Sequence, residues 1–137
     1  MCVQMTHQHH VRVYYEDTDA GGIVYYANYL KFLERARTEW LRDMGIEQDT
    51  LLEQSVGFVV KRVEMDNHAP ARFNQMLRIE SKLVELKRAS VVFEQLIISP
   101  DEQCLVSARI RVACVDLSRM KPQAIPVFIL GEFSRVI

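Results

Sequence analysis

The sequence predicts an α+β fold in which one antiparallel sheet wraps around one long central helix. A single long helical pattern carries apolar residues over more than one face, which indicates burial on several sides. Extended segments follow it with no helices between them, so alternating βαβ connections are not expected. The 137 residues are 49% hydrophobic, enough for one core, and we expect residues 1–137 to form a single domain.

The first element is a strand at Val11–Tyr15, beginning near His10, because β-forming residues alternate there. The helix pattern then begins at Tyr26 or Ala27 and ends at Met44. Its apolar residues recur at steps of three and four, namely Tyr29, Leu33, Ala36, Trp40 and Met44, with Phe32 and Leu41 widening the stripe. Asn28 is a candidate helix cap, and Gly45 is a natural helix stop.

A short helical turn is expected within Ile46–Gln54, followed by four strands. These are Val56–Val63, extending towards Asn67 or His68, then Met76–Leu86, Ser90–Ser99 and Gln103–Asp116. Four consecutive strands predict an antiparallel meander. Alternation places Leu77, Ile79, Ser81, Leu83 and Glu85 on one face of their strand. Cys104 and Cys114 lie an even number of positions apart on the last strand, so we expect both to face the same side as small buried residues. Pro122 and Pro126 disfavour regular strand near the C-terminus, where Val127–Phe133 predicts a short helix.

Composition excludes several functional classes. The net charge is −1 and the pI about 6.4, so no basic surface for nucleic acid is expected. Cys2, Cys104 and Cys114 are odd in number and form no C-x-x-C pair, which predicts neither disulfides nor zinc. We expect a cytoplasmic protein, because the thiols suit a reducing compartment and neither a signal peptide nor a membrane span of ~20 apolar residues is evident.

The stretch with the most chemical content lies between the first strand and the helix. Glu16, Asp17 and Asp19 place three carboxylates within four positions, and Gly21-Gly22 follow. Glycine permits positive φ and close backbone approach, and a helix N-terminus presents free N–H groups at the positive end of its dipole. A carboxylate beside oriented donors suits chemistry on a carbonyl. The same residues also fit a solvated surface turn.

These residues resemble a known family. Val11–Leu30 (VRVYYEDTDAGGIVYYANYL) and Glu34–Glu39 (ERARTE) closely resemble the hot-dog-fold acyl-CoA thioesterases of the YbgC type, which is associated with the Tol-Pal system and related to 4-hydroxybenzoyl-CoA thioesterase. Val112–Asp116 and Met120–Pro122 resemble that group's C-terminal part. The resemblance implies hydrolysis of acyl-CoA to free acid and coenzyme A, without metal or cofactor, by a homodimer or homotetramer with active sites at the subunit interface.

The resemblance also implies residue roles. Asp19 matches the family's catalytic carboxylate, acting as nucleophile or general base, and the Tyr26 backbone N–H matches the donor that polarises the thioester carbonyl. Some relatives carry His at this position, but the backbone donor does not depend on the side chain. Gly22, Val24, Tyr25 and Val59 are expected to contact substrate. Lys87 and Arg88 either bind the phosphates of coenzyme A or form a solvated hairpin turn.

Other polar residues are expected to support the fold. We expect surface or supporting roles for Glu16 and Asp17, an ion pair of Glu34 with Arg35 or Arg37, and no catalytic role for His68.

Two other functions stay open. A hot-dog-fold dehydratase or hydratase usually recruits a His beside an acid, and no His lies near Asp19 or on the helix. A non-catalytic adaptor for lipid-synthesis or cell-envelope proteins is also compatible with the sequence.

Overall fold

One antiparallel sheet packs against the central helix. The computed structural model describes residues 5–137. Its elements are β1 (His7–Arg12), α1 (Tyr29–Asp43), α2 (Gln48–Glu53), β2 (Val56–Asn67), β3 (Met76–Leu86), β4 (Ser90–Ile98), β5 (Cys104–Asp116), β6 (Lys121–Pro122) and α3 (Val127–Val136). Two 3-10 turns, Tyr15–Asp17 and Tyr26–Asn28, precede α1. No helix within residues 5–137 is long and apolar enough to cross a bilayer.

Helix α1 is buried along the predicted stripe. Its buried residues are Tyr29, Phe32, Leu33, Ala36, Arg37, Trp40 and Leu41. Phe32 and Leu33 are fully buried, and each such side chain contributes about 1.5–3 kcal/mol. Trp40 meets Phe93 of β4 edge to face at 5.9 Å. The helix ends before Gly45, whose φ is +84°, as predicted. The predicted first turn differs, because Tyr26–Asn28 forms a 3-10 turn.

The strand order is β1-β3-β4-β5-β2, with β6 beside β5 and every pair antiparallel. The predicted meander therefore holds for β3, β4 and β5 and is wrong for β2. Since β1 and β4 occupy both edges of β3, β2 cannot pair with it and lies on the far side of β5. This leaves the 12-residue β2 at the edge of the sheet.

Register shifts explain two wrong predictions of side-chain facing. Between Leu83 and Glu85 the pairing with β4 shifts, so Glu85 leaves the buried face and bonds to Arg111 on the outer face at 2.6 Å. A second shift between Ile97 and Ile98 affects the start of β5. Cys104 is consequently exposed, whereas Cys114 is buried as predicted. Cys2 lies outside the described residues.

The termini differ modestly from the predictions. β1 begins earlier than predicted, at His7, and ends at Arg12, because its pairing runs from His7↔Ser81 to Arg12↔Met76 and the chain then turns into the first 3-10 turn. Near the C-terminus Lys121–Pro122 does form a two-residue strand, whose brevity fits proline's missing donor. The predicted last helix is present and extends to Val136.

Candidate active site

A tight hairpin carries Asp19. Thr18 and Val24 face each other across an isolated antiparallel bridge, and the Asp19 N–H donates to the Ile23 carbonyl at 3.0 Å. The Asp19 carbonyl accepts the Gly22 N–H, also at 3.0 Å. Gly22 has φ +74°, a conformation in which glycine avoids the strain of a side chain. The positive φ expected of the glycine pair is therefore present at Gly22.

The Asp19 side chain is exposed, and only one of its oxygens is engaged. Its Oδ1 accepts the Gly21 N–H at 2.9 Å, and a Cβ added at residue 21 would lie 3.4 Å from that oxygen. No donor within residues 5–137 bonds to Oδ2. The backbone thus orients one carboxylate oxygen and leaves the other available to a substrate or a water molecule.

The hairpin leads directly into the start of the helix. The Tyr25 N–H donates to the Asp17 carbonyl at 3.2 Å, and the Asn28 N–H donates to the Tyr25 carbonyl at 2.8 Å. The Tyr26 N–H has no backbone acceptor in the described part of the chain, as is usual for the first amides of a helix. A donor at the positive end of the helix dipole is therefore free to bind a developing negative charge.

Asp17 is the buried carboxylate of the turn. It is 8% exposed. Its Oδ2 accepts the Tyr14 N–H at 2.8 Å, and its Oδ1 accepts the Asn28 side-chain amide at 2.7 Å. Asn28 occupies the N-cap position of α1, as predicted, but its side chain makes no capping hydrogen bond. Its φ and ψ are already helical, at −70° and −22°, and its side-chain amide bonds to Asp17 instead. Glu16, in contrast, is exposed.

Exposed aromatic side chains surround the hairpin. Tyr15 is 81% exposed, and Tyr25 and Tyr26 are 54% and 59% exposed. The rings of Tyr25 and Tyr26 lie 5.1 Å apart, and Tyr15 meets Phe73 edge-on at 5.9 Å. Exposed apolar surface of this kind often marks a ligand site or a protein interface.

A cleft of about 270 Å³ opens beside Tyr26. Its lining comprises Val24, Tyr26, Tyr29, Asn67, His68, Ala69 and Pro70. The His68 imidazole Nε2 and the Ser107 hydroxyl are 2.9 Å apart and hydrogen-bonded. Sequence reasoning left His68 outside the site. Pro70 was the signal in the sequence that could have placed His68 here. A proline marks the end of a strand, and after this strand end the chain passes beside the start of the helix.

The remaining predicted substrate contacts lie far from Asp19 in the same chain. The hairpin pairs with residues just before β3, for Val24 donates its N–H to the Ala71 carbonyl at 2.8 Å. Lys87 and Arg88 follow the other end of β3, whose 11 residues span about 33 Å at ~3.3 Å per residue.

Val59 belongs to that distant end as well. It pairs with Ala113 of β5, which pairs with Ser90 of β4, and the Ser90 carbonyl accepts the Lys87 N–H at 2.8 Å. The Lys87 ammonium lies 3.8 Å from Glu85, and Arg88 is exposed. Within one chain, therefore, Asp19, Gly22, Val24, Tyr25 and Tyr26 form one group, and Val59, Lys87 and Arg88 form another.

Val59 lines a second cavity, of about 320 Å³, between α1 and the sheet. Arg37 also lines it and is 8% exposed. Its Nη1 donates to the Gln95 side-chain carbonyl at 3.0 Å, and no carboxylate within residues 5–137 forms a salt bridge with it. Burial lowers the pKa of Arg37 to about 10, partly opposed by the nearby Glu34 carboxylate. The expected ion pair of Glu34 with Arg35 or Arg37 is thus not formed.

Gln95 completes this buried network. Its side-chain amide donates to the Leu33 carbonyl at 3.0 Å and to the Ser81 hydroxyl at 2.9 Å. Arg37 could have been noticed in the sequence, because it lies four residues from both Leu33 and Leu41 in the apolar stripe. Among the described residues, no group of three or more His, Cys, Asp or Glu side chains could hold a metal ion.

Comparison with known proteins identifies close relatives. Residues 13–133 match the family described as the thioesterase-like superfamily. An acyl-CoA thioester hydrolase YbgC of Escherichia coli O6:H1 is 46% identical over 125 residues, which cover 91% of this chain and 93% of the relative. An acyl-CoA thioesterase YbgC of Haemophilus influenzae is 48% identical over 124 residues, covering 90% of each.

Solved structures share the architecture. A probable thioesterase from Bartonella henselae superposes with a TM-score of 0.82 at 35% identity, over 89% of this chain and 100% of the other. The gentisyl-coenzyme A thioesterase BH1999 gives a TM-score of 0.84 at 27% identity, over 92% and 98%. The likeness confirms the predicted hot-dog fold, a sheet wrapped around a long helix.

Proposed function

Since this chain belongs to the thioesterase-like superfamily and is an acyl-CoA thioester hydrolase, we propose that the Asp19 carboxylate and the Tyr26 backbone N–H perform the hydrolysis. One observation carries the proposal: a carboxylate with a free oxygen and a free helix-start amide lie on the same hairpin-to-helix segment. No other carboxylate on that segment combines exposure with a backbone-oriented oxygen, since Asp17 is buried and Glu16 has no such bond.

The proposed chemistry begins when the thioester carbonyl oxygen accepts the Tyr26 N–H. In one route, the free Asp19 oxygen takes a proton from water while the water oxygen attacks the carbonyl carbon. In the other, Asp19 attacks directly and water hydrolyses the resulting anhydride. In both routes negative charge collects on the carbonyl oxygen, and the C–S bond breaks as the tetrahedral intermediate collapses. The coenzyme A thiolate then takes up a proton, from the protonated Asp19 in the first route and from solvent in the second. One such amide donor typically contributes ~3 kcal/mol to stabilising the oxyanion.

We further propose that each active site is assembled from two subunits. In this proposal Lys87 and Arg88 bind the phosphates of coenzyme A, so the substrate contacts both groups of residues, which a single chain separates by the length of β3, about 33 Å. A twofold partner supplies the second group without any change of fold. The exposed aromatic surface around Asp19 supports an interface at this place.

The edge strand β2 is the proposed contact between subunits. It is 12 residues long, and Val60, Lys61, Arg62, Val63 and Glu64 are all exposed, an edge that isolated proteins usually shorten or cover. If β2 pairs antiparallel with β2 of the partner subunit, the partner's sheet runs in the opposite direction beside the first sheet. The end of one sheet that carries Val59, Lys87 and Arg88 then lies beside the Asp19 end of the other. A cytoplasmic location fits this substrate and the free thiols of Cys104 and Cys114.

The role of Asp19 is tested by D19N, with E16Q as the matched control on the same turn. We expect kcat for acyl-CoA hydrolysis, followed with a thiol-trapping dye, to fall about 10²–10⁴-fold in D19N, because the general base or nucleophile is lost. E16Q should keep wild-type kcat. Wild-type turnover by a D19N protein with an unchanged melting temperature would reject Asp19 as the catalytic group.

One observation favours a second function, hydration of an enoyl thioester. That chemistry usually recruits an imidazole as a proton shuttle beside an acid, and His68 lines the cleft beside Tyr26. The test compares wild type and H68Q for loss of enoyl-CoA absorbance alongside thiol release. Hydration without thiol release, abolished by H68Q, would favour the hydratase; thiol release with no hydration would leave the thioesterase as the sole activity.

A further inference from the structure

The burial of Asp17 calls for a physical explanation. It is the one carboxylate among residues 5–137 whose residue is buried, while Glu16 and Asp19 on the same turn are exposed. A buried carboxylate is costly unless hydrogen bonds replace its water. Asp17 meets that requirement fully, because each of its side-chain oxygens accepts one strong hydrogen bond.

The partners of Asp17 lie on both sides of the catalytic segment. Through Oδ2 it holds the Tyr14 N–H, at the point where the chain leaves β1. Through its main-chain carbonyl it holds the Tyr25 N–H, and through Oδ1 it holds the Asn28 side chain. The last two contacts bracket Tyr26 from either side. One residue therefore fixes the turn that carries the free amide.

The same residue is two positions from Asp19 along the chain. The intervening Thr18 is itself fixed, since it bridges Val24 and its hydroxyl donates to the Tyr15 carbonyl at 2.7 Å. A short, hydrogen-bonded path through Asp17 therefore links Asp19 to Tyr26, in addition to the hairpin bonds of Asp19 with Gly22 and Ile23. Without the Asp17–Asn28 bond, only main-chain contacts join the two ends of this path.

We propose that Asp17 and Asn28 act as positioning residues that hold the Tyr26 amide in register with Asp19. This inference rests on the proposed roles of Asp19 and Tyr26. In this role the two side chains bond to each other and contribute no group to the reacting atoms. Their bond keeps the oxyanion donor and the carboxylate at the separation that the transition state requires, where a misplacement of about 1 Å can cost ~10²-fold in rate.

Hydrogen-bond polarity suggests the decisive variants. The single substitution D17N is a poor test, because the Asn28 amide can rotate and accept a bond from the new amide. N28D is a sharp test, because it places a second carboxylate where the 2.7 Å bond lies and the two acceptors repel. In the double variant D17N/N28D, the new amide at position 17 donates and the new carboxylate at position 28 accepts, so the bond is restored in the opposite direction. The side-chain oxygen at position 17 can still accept the Tyr14 N–H.

The experiment measures kcat and KM for acyl-CoA hydrolysis by wild type, N28D and D17N/N28D, well below each melting temperature. We expect N28D to lower kcat about 10–100-fold with little change in KM, and the double variant to recover most of the lost turnover. Wild-type kcat in N28D would overturn the proposal. So would a double variant that regains the melting temperature of the wild type but stays as slow as N28D.

D19N, measured in parallel, separates the two hypotheses. If D19N retains wild-type turnover, the catalytic assignment fails and the positioning role fails with it. If D19N is slow while N28D is unaffected, Asp19 stands as the catalytic group and only the positioning role is rejected.

Discussion

At residue 19, one carboxylate oxygen is held by a backbone amide and the other is left free. The two neighbouring acids differ in their environment: Asp17 is buried with both side-chain oxygens hydrogen-bonded, whereas Glu16 is exposed. The sequence alone identified the cluster of acids and, through family resemblance, singled out Asp19. It could not show that Asn28 bonds to Asp17, because that contact depends on the 3-10 turn that precedes the helix.

The Tyr26 amide can be removed with little disturbance of the fold. Proline has no N–H, is tolerated at the first position of a helix, and requires an extended preceding residue; Tyr25 has φ −63° and ψ 129°. We expect Y26P to lower kcat about 10²–10³-fold relative to Y26A, because only Y26P loses the oxyanion donor. Steady-state kinetics of the two variants provide the measurement. Equal kcat values in folded Y26A and Y26P would reject the amide as the oxyanion donor.

At the scale of elements, a buried polar network joins α1 to the sheet. Arg37 and the Leu33 carbonyl, both on α1, bond to Gln95 of β4, which also bonds to Ser81 of β3. Helix periodicity predicted which side of α1 is buried, and alternation predicted the bounds of β3, β4 and β5 to within one residue. Both ends of β1 were predicted wrongly, and β6 was not predicted. The register shifts near Glu85 and Cys104 were not predictable, since an inserted residue in a strand leaves no clear mark in the apolar pattern.

The network makes a prediction about stability. Q95M leaves the buried Arg37 guanidinium without its acceptor, so we expect the free energy of unfolding to fall by about 3 kcal/mol. R37M should cost about 1–2 kcal/mol. The double variant should lose less unfolding free energy than the sum of the two single losses, because each single variant leaves the other residue without its hydrogen-bond partner. Urea unfolding at one fixed protein concentration measures all three.

The outer-face substitution E94Q on the same strand serves as the control and should change the unfolding free energy by less than about 0.5 kcal/mol. Strictly additive losses in the double variant would mean that Arg37 and Gln95 are not coupled.

At the scale of the whole molecule, one chain separates the two groups of expected site residues. Asp19 and Tyr26 lie at one end of the sheet, and Val59, Lys87 and Arg88 lie at the other. The sequence predicted the helix, the strands and the candidate residues, but not this separation, because the strand order β1-β3-β4-β5-β2 cannot be read from local patterns. The subunit interface that we propose along β2 would explain both the separation and the exposed edge.

Subunit complementation tests whether each active site is built from two subunits. A D19N chain keeps Lys87 and Arg88, and a K87A/R88A chain keeps Asp19. In a mixed dimer whose sites draw on both subunits, one site is therefore intact and the other carries both defects. If each site lay within one chain, every site in the mixed dimer would carry one defect.

The measurement is acyl-CoA hydrolysis by the two co-expressed chains, at a substrate concentration far below the KM of the K87A/R88A homodimer. We predict recovery to about a quarter of wild-type activity, since roughly half of randomly paired dimers are mixed and each of those has one intact site. Activity no greater than the average of the two separate homodimers, in a sample shown to contain mixed dimers, would contradict an active site shared between subunits.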